Sequence, residues 1–372
     1  MIYFDNAATT GKKPDMVVKA VAGALRKNCV NPGRSGYKLS LETAEKIYEI
    51  RQKIADFFGC EQAENVAFTL NCTHALNCVI KGNLKSSDHA VVSTLEHNAV
   101  MRPLAKIKAD FDFAEVSLFD DEITVKNFAK KLRKDTKMVI CTAASNVLGK
   151  KLPIERIGEL CKQRNICFVV DGAQLAGIEK IDMQKMNIDF LCVAPHKGLY
   201  APMGIGVLLS RKPLYDTLIE GGTGSSSISF QQPLTMPEMI ESGTVNVPAI
   251  FGIGAGIDFI NSIGTQRIAK YEGKLCTKLF RGLQKNSDIR LYTKYSPELY
   301  APVIPFNLRD IPSEEIARKL NENNVAVRAG LHCAPTAHKY IGTLDSGAVR
   351  ISPSIFNSEN EVERFLSIIN KL

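Results

Sequence analysis

The sequence predicts an α/β fold, with a large domain built on a mainly parallel sheet and a smaller α+β domain. The chain of 372 residues is long enough for about two domains. Between about residues 40 and 210, short apolar runs alternate with amphipathic stretches of helical length. Strands separated by helices indicate βαβ units, in which neighbouring strands run parallel. Beyond about residue 250, strand-like runs mix with helices, which favours a smaller α+β unit.

The apolar runs of the first half have the length and composition of buried strands. They lie at residues 66–70, 90–93, 138–142, 167–170, 190–193 and 206–209. The segments that flank and separate them carry helical periodicity, which predicts helices at residues 44–58, 74–81, 125–133 and 154–164.

The second half has a different pattern. One long helical stretch is predicted over residues 250–283. Strand-like runs follow at residues 289–292, 303–307, 325–329 and 348–351, and a closing helix is predicted over residues 359–372.

Composition excludes several classes of protein. With 45% hydrophobic and 23% charged residues, the chain is typical of a globular protein rather than a disordered one. The net charge of +8 is spread over short doublets, so no stripe for nucleic acid is expected. Neither a secretory signal nor an apolar run of membrane-spanning length is present, which predicts a cytoplasmic protein that binds no membrane. The ten cysteines lack any zinc-binding spacing, so we expect free thiols and no metal.

An acid and a lysine follow two successive predicted strands. Asp171 directly follows the run 167–170, and Lys197 lies shortly after the run 190–193. Ligands of parallel sheets bind beyond the carboxyl ends of the strands, so both side chains can face one pocket. Such a pair suits pyridoxal phosphate (PLP), because lysine forms a Schiff base with the aldehyde and a carboxylate pairs with the pyridine nitrogen. Alone, each residue could equally be a helix cap or a surface cation.

With these residues, the segments 3–10 and 350–353 make the chain similar to the class V aminotransferase family of fold-type I PLP enzymes. Within that family it resembles the group II cysteine desulfurases and selenocysteine lyases. The resemblance implies a homodimer and PLP as cofactor. It also implies a large PLP-binding domain over residues 15–255 and a small domain made of residues 1–14 and 256–372.

The resemblance also implies roles for individual residues. Around the cofactor it gives Lys197 as the Schiff-base lysine, Asp171 as the partner of the pyridine nitrogen, His97 as the ring-stacking histidine and Gln174 as the donor to the phenolic oxygen. For the phosphate it gives Thr73, His196 and, across the subunit interface, Thr244. For the substrate it gives Arg350 as the carboxylate clamp with Arg328 beside it, Asn146 near both substrate and cofactor, and Arg34.

The segment 328–334 resembles the nucleophile motif of the desulfurases, with Cys333 as the nucleophile. In that branch the cysteine attacks the sulfur of the substrate, keeps it as a persulfide, and alanine leaves. A reactive thiol needs an exposed, electropositive setting, which His332 and Arg328 are expected to supply. A buried structural cysteine is the alternative.

We therefore expect a PLP-dependent cysteine desulfurase that acts on L-cysteine, with a possible sulfur-acceptor protein as partner. Leu331, Ala194 and Gly33 replace residues that are usual in the family. These replacements leave open a selenocysteine lyase or another class V aminotransferase. A sulfur-carrier protein whose main role is docking is a further alternative.

Overall fold

The predicted α/β fold with a mainly parallel sheet is confirmed. The computed structural model describes residues 1–32, 35–225 and 227–372. A seven-stranded sheet has the order β2-β8-β7-β6-β5-β3-β4. Its strands are β2 (Val66–Thr69), β3 (His89–Ser93), β4 (Asp110–Ala114), β5 (Thr136–Thr142), β6 (Cys167–Asp171), β7 (Phe190–Val193) and β8 (Gly206–Ser210). Strands β3 to β7 are mutually parallel, and β8 pairs antiparallel with β7 and β2.

Helices cover the large sheet, and further helices lie in the second part of the chain. They are α1 (Asp15–Lys27), α2 (Lys38–Phe58), α3 (Cys72–Asn83), α4 (Asn98–Ile107), α5 (Asp121–Lys131), α6 (Ile154–Arg164), α7 (Val247–Ile263), α8 (Thr265–Gln284), α9 (Ser313–Glu322), α10 (Pro335–Tyr340) and α11 (Glu359–Ile369). Buried side chains of α2, α6 and α7 pack in one apolar cluster, and those of α3 and α4 pack in another. The central strands contribute to both clusters, as their uninterrupted apolar sequences require.

A third apolar cluster lies around a three-stranded antiparallel sheet, in the order β12-β10-β9. Its strands are β9 (Ile289–Leu291), β10 (Ile304–Leu308) and β12 (Val349–Ile351). The start of the chain joins this cluster through buried Ile2 and Phe4, because β1 (Ile2–Tyr3) pairs parallel with β11 (Val325–Ala326). The two ends of the chain are thus packed together.

Several elements of the structure differ from the prediction, and helices α1, α4, α9 and α10 were not predicted. Strand β4 was not predicted, because it is an edge strand in which charged and partly exposed residues replace a continuous apolar run. The single helical stretch over residues 250–283 is wrong: Gly264 separates α7 from α8. Its φ of 95° lies in the region that favours glycine, so the helix ends there and the chain turns by 80°.

Within the described residues, no single helix has the length and hydropathy of a membrane span. By length and composition alone, α7 and α8 could form one only together, as a bent pair.

A buried ion pair fastens the segment before α7 to the large sheet. Arg51 of α2 donates to both carboxylate oxygens of Glu241, at 2.6 and 2.5 Å, and to the carbonyl oxygen of Val66. Glu241 also accepts from the amide of Phe68 at 2.6 Å. Both charged side chains are only 9% exposed. The pair therefore satisfies two buried charges and fixes Glu241 against β2.

Replacing Glu241 should destabilise the fold strongly. In Glu241→Leu the Arg51 guanidinium stays buried without its counter-charge, and such losses typically cost about 3–5 kcal/mol. The free energy of unfolding would be measured by urea denaturation. The matched control is Glu315→Gln, which breaks an exposed ion pair with Arg318 and should change little. Equal effects of the two substitutions would contradict a structural role for the buried pair.

Candidate active site

Asp171 is fixed at the carboxyl end of the central strand β6. In the sheet it lies between Thr142 of β5 and Cys192 of β7. It is 4% exposed, and its Oδ1 accepts from the amide of Ala173 at 3.0 Å and from the thiol of Cys72 at 3.6 Å. Among the described residues, Oδ2 has no hydrogen-bond partner in the protein. The carboxylate is therefore held from one side, with one oxygen left for a ligand.

Lys197 lies in the turn that follows the neighbouring strand β7. Its amide donates to the carbonyl oxygen of Ala194 at 3.1 Å, which closes the turn. Burial lowers the pKa of the Lys197 amine; Asp171 acts in the opposite direction, and the guanidinium groups of Arg350 and Arg328 lower it further. Asp171, Arg350 and Arg328 are therefore the charged groups that act on the amine. A lowered pKa leaves more of the unprotonated, nucleophilic form near neutral pH.

His97 is the N-cap of α4 and belongs to the same group of residues. Its Nδ1 accepts from the amide of Ala99 at 3.0 Å, so in the neutral ring the proton resides on Nε2. Burial lowers the pKa of His97, while Asp171 raises it and Lys197 lowers it. The preceding Glu96 is fully buried, accepts from Thr142 N at 2.9 Å, and has its pKa raised to about 8 by burial. A largely protonated Glu96 thus ties the start of α4 to β5.

The remaining cofactor candidates divide into three cases. Gln174 is buried beside β6 and donates to the carbonyl oxygen of Ala7 at 3.0 Å. His196 has its pKa lowered to about 4, first by burial, and its buried Nδ1 has no hydrogen-bond partner within the described chain. Thr73 is exposed near the N-terminus of α3, and Thr244 is exposed in the segment before α7. Arg34 lies outside the described residues.

The predicted clamp residue Arg350 is nearly inaccessible. It is 2% exposed in β12, and its guanidinium donates to Asp5 Oδ1 at 2.7 Å and to the carbonyl oxygen of Asn146 at 2.9 Å. Its Nε is buried and has no partner among the described residues. The terminal nitrogens of this guanidinium already have partners within the chain. Arg328 is bridged to Arg350 through the backbone, with Arg350 N to Arg328 O at 2.7 Å, and is itself exposed.

Cys333 stands on an ordered, strained loop at the protein surface. Gly330, His332 and Cys333 have φ values of 94°, 51° and 56°, and the last two are rare for residues with a side chain. The amide of Asn98 donates to the carbonyl oxygen of Cys333 at 2.7 Å. The side chain of Asn146 donates to the carbonyl oxygen of His332, also at 2.7 Å. These bonds hold the exposed thiol beside the start of α4 and near Arg350.

A chain of buried side chains supports this loop from behind. His332 Nδ1 lies 3.1 Å from His338 Nε2, and His338 Nδ1 lies 2.8 Å from the hydroxyl of Thr343. The two rings are nearly coplanar, at 7°, with centroids 5.3 Å apart, which fits an edge-to-edge hydrogen bond. Burial, with Arg350 adding to it, lowers the pKa of His332 to about 2. His332 is therefore neutral near pH 7, and the prediction that it supplies positive charge to Cys333 is wrong.

The geometry joins an acid, a lysine, a histidine and an exposed thiol around one edge of the sheet. Residues 2–365 match the family model described as Aminotransferase class-V. The chain belongs to the class V aminotransferase family. The family that the sequence resembled is thus confirmed, and with it the fold-type I architecture.

Individual relatives extend over nearly the whole chain. A protein of Pyrococcus abyssi described as a probable cysteine desulfurase is 35% identical over 386 residues, covering 100% of this chain and 94% of the relative. The apo structure of a cysteine desulfurase from Thermococcus onnurineus NA1 has a TM-score of 0.89 and 33% identity, covering 100% of this chain and 94% of that one. An Escherichia coli cysteine desulfurase shares the fold, with a TM-score of 0.86 at 23% identity over 99% and 94% of the two chains.

Several residues of the site were not predicted from the sequence. They are Asp5, Cys72, Glu96, His338 and Thr343. Asp5, Cys72 and Glu96 were detectable, since each belongs to a segment that was already singled out or stands next to a predicted site residue. His338 and Thr343 gave no such signal, because their contact with His332 depends on how the chain turns after Cys333.

Thiol labelling should distinguish Cys333 from most of the other cysteines. Cys29 and Cys333 are the exposed cysteines, and burial raises the pKa of Cys60, Cys78 and Cys167, among others. We expect a thiol reagent to modify two groups rapidly in the native protein, and one in Cys333→Ser or in the matched variant Cys29→Ser. Peptide mass mapping identifies them. Rapid labelling of further cysteines would contradict the burial described here.

Proposed function

We propose that this protein is a PLP-dependent cysteine desulfurase that converts L-cysteine to L-alanine and takes up the sulfur on Cys333. The observation that carries the proposal is the position of Cys333. It is exposed, yet its loop is hydrogen-bonded to Asn98 at the start of α4 and to Asn146. Asn146 in turn binds Arg350, and His97 precedes Asn98. The Cys333 thiol is thereby held beside His97 and Asn146, two of the residues expected at the cofactor.

The described residues fit PLP. Asp171 offers a fixed, buried carboxylate oxygen for the pyridine nitrogen, and Lys197 offers an amine whose pKa is lowered by burial. His196 Nδ1 is buried and unpartnered within the described chain, and so can bind one more polar group. Thr73, near the N-terminus of α3, adds a hydroxyl at a helix end that favours anions. When bound, PLP supplies an electron-accepting ring that stabilises negative charge at the substrate Cα.

The chain's own residues would then move the protons. Lys197 Nζ removes the proton from the substrate Cα and is the acid that returns it, as its position beside Asp171 permits. His97 would stack on the ring, and because its Nδ1 accepts from Ala99, its neutral form carries the proton on Nε2. Gln174, fixed by Ala7, would donate to the phenolic oxygen.

Arg328 would be the first arginine to bind and orient the substrate. Its side chain is exposed, whereas the guanidinium of Arg350 is buried and bonded to Asp5 and Asn146. The substrate carboxylate therefore meets Arg328 directly. Arg350 would act beside it, because Asp5 and Asn146 accept from only two of its five N–H groups and its buried Nε has no partner within the described structure.

Among the residues of the chain, Cys333 performs the sulfur transfer itself. Its thiolate attacks the substrate sulfur and forms a sulfur–sulfur bond, while the bond from that sulfur to Cβ breaks. The electron pair stays on carbon, where a proton completes alanine. Since His332 is neutral, Arg328 is the cation that the loop segment retains near Cys333.

The proposal includes a homodimer, a sulfur-acceptor protein and the two domains given above, residues 15–255 and residues 1–14 with 256–372. Ile228 and Phe230 are fully exposed, and Leu234 is 66% exposed. Apolar side chains grouped in this way are typical of a surface that another chain covers. Thr244 lies in the segment before α7 and is also exposed, as a phosphate contact across the interface requires. The cytoplasmic location remains a prediction from the sequence.

Replacing the lysine tests the cofactor assignment. Lys197→Ala should lose the visible absorbance band of lysine-bound PLP and lower alanine formation from L-cysteine by several orders of magnitude, because both the covalent attachment and the base are removed. The matched control is Lys180→Ala, at a residue outside the site, which should keep both. A surviving absorbance band in Lys197→Ala would show that another lysine holds the cofactor.

Replacing the cysteine tests the sulfur chemistry separately. Cys333→Ser should keep the absorbance band, since no described contact joins Cys333 to the cofactor residues Lys197 or Asp171, and should lose at least about 100-fold in alanine formation from L-cysteine. Selenocysteine is assayed in parallel, because its leaving group demands less of the nucleophile. Unchanged turnover of L-cysteine in this variant would contradict the role of Cys333.

A further inference from the structure

A surface groove runs from Cys333 between helices α3 and α4. We call it the α3–α4 groove; it is lined by Thr73, Asn77 and Lys81 of α3, by Asn98, Ala99, Arg102, Pro103 and Lys106 of α4, and by His97 and Cys333 at one end. Thr73, Asn77 and Lys81 follow each other at intervals of four residues, so they form one line along the face of α3. Arg102 and Lys106 form the corresponding line on α4.

The lining is positively charged and contains no carboxylate. Some other surface cations are paired with acids: Arg133 pairs with Asp110 and Asp112, and Lys278 pairs with Glu359 and Glu363. In contrast, Lys81, Arg102 and Lys106 form no ion pair with any described residue. Cations grouped in a concave surface repel each other and concentrate a positive potential there. This arrangement is complementary to an anionic ligand.

The groove is too long for a single phosphate or amino acid. From Thr73 to Lys81 the helix rises by ~12 Å. An extended chain of about four residues has that length. The thiol of Cys333 stands at the end where both helices begin, so the helix dipoles add to the positive potential beside it. An extended acidic segment lying in the groove would thus end at the nucleophile.

We propose that the α3–α4 groove binds an acidic, extended segment of a sulfur-acceptor protein and directs its cysteine to Cys333. This inference rests on the proposed function, because it needs the persulfide on Cys333. The acceptor thiolate attacks the outer sulfur of that persulfide. A new sulfur–sulfur bond forms on the acceptor, the old one breaks, and Cys333 leaves as a thiolate. The exchange needs no further oxidant or reductant.

The test compares two synthetic peptides as sulfur acceptors for the PLP-loaded enzyme with L-cysteine. Each carries one cysteine at its end, followed by four aspartates in one peptide and four serines in the other. The measured quantity is the ratio of the two kcat/KM values for peptide persulfide formation, read by mass spectrometry. Comparing this ratio between enzyme variants cancels the difference in reactivity between the two thiols.

We expect the wild-type ratio to favour the acidic peptide and to fall as salt is added. The double variant Lys81→Gln, Lys106→Gln should lower the ratio about five-fold, the scale expected for two screened surface charges. The double variant Lys85→Gln, Lys130→Gln removes two exposed lysines outside the groove and should leave the ratio unchanged. With a small thiol such as dithiothreitol as acceptor, all three proteins should form alanine at the same rate.

Three results would overturn the inference. The first is an equal loss in both double variants, which would indicate a response to net charge alone. The second is a wild-type ratio that does not depend on salt. The third is a change of oligomeric state in the Lys81→Gln, Lys106→Gln variant, which would assign the groove to a contact between copies of this chain. Failure of the proposed function is distinct, because it would abolish alanine formation with dithiothreitol as well.

Discussion

A buried guanidinium, that of Arg350, joins three distant parts of this chain. Arg350 itself lies in β12 of the C-terminal sheet. It donates to Asp5, near the start of the chain, and to Asn146, which follows strand β5 of the large sheet. A charge this deeply buried is tolerated only when it is paired, so the two ends of the chain must meet around it. Asn146 then extends the connection to the carbonyl oxygen of His332. The position of the Cys333 loop therefore depends on the same buried charge.

Desolvation sets the charge of the whole site. Burial lowers the pKa of Lys197, His97, His196 and His332, and so favours their neutral forms. Two guanidinium groups nearby act on Lys197 in the same direction, and Asp171 opposes them. The guanidinium of Arg350 is paired with Asp5, and Asp171 is the acid that acts on Lys197. The site thus combines a buried amine with two guanidinium groups, and the proposed anionic adduct of cofactor and substrate is complementary to that charge.

Sequence patterns predicted those parts of the molecule that follow from local rules. Uninterrupted apolar runs gave the central strands, and the rule that strand ends meet at one edge brought Asp171 and Lys197 together. The break at Gly264 and the exposed edge strand β4 were missed because each departs from simple periodicity. The pairs Arg350–Asp5 and His332–His338 required the tertiary fold, since the sequence shows neither their approach nor the burial that keeps the two histidines neutral.

The contrast among the cysteines shows how burial selects one nucleophile. Cys72 lies next to Asp171, yet burial and that carboxylate raise its pKa well above the ordinary value, so it remains a protonated donor. Cys192 is buried in the neighbouring strand β7 with the same consequence. Cys333 escapes this burial only because its loop adopts left-handed backbone at two successive residues. That conformation costs free energy, which the bonds from Asn98 and Asn146 and the buried His332–His338 contact offset. The left-handed loop thus presents a thiol at the surface near a pocket whose own cysteines, Cys72 and Cys192, are kept protonated by burial.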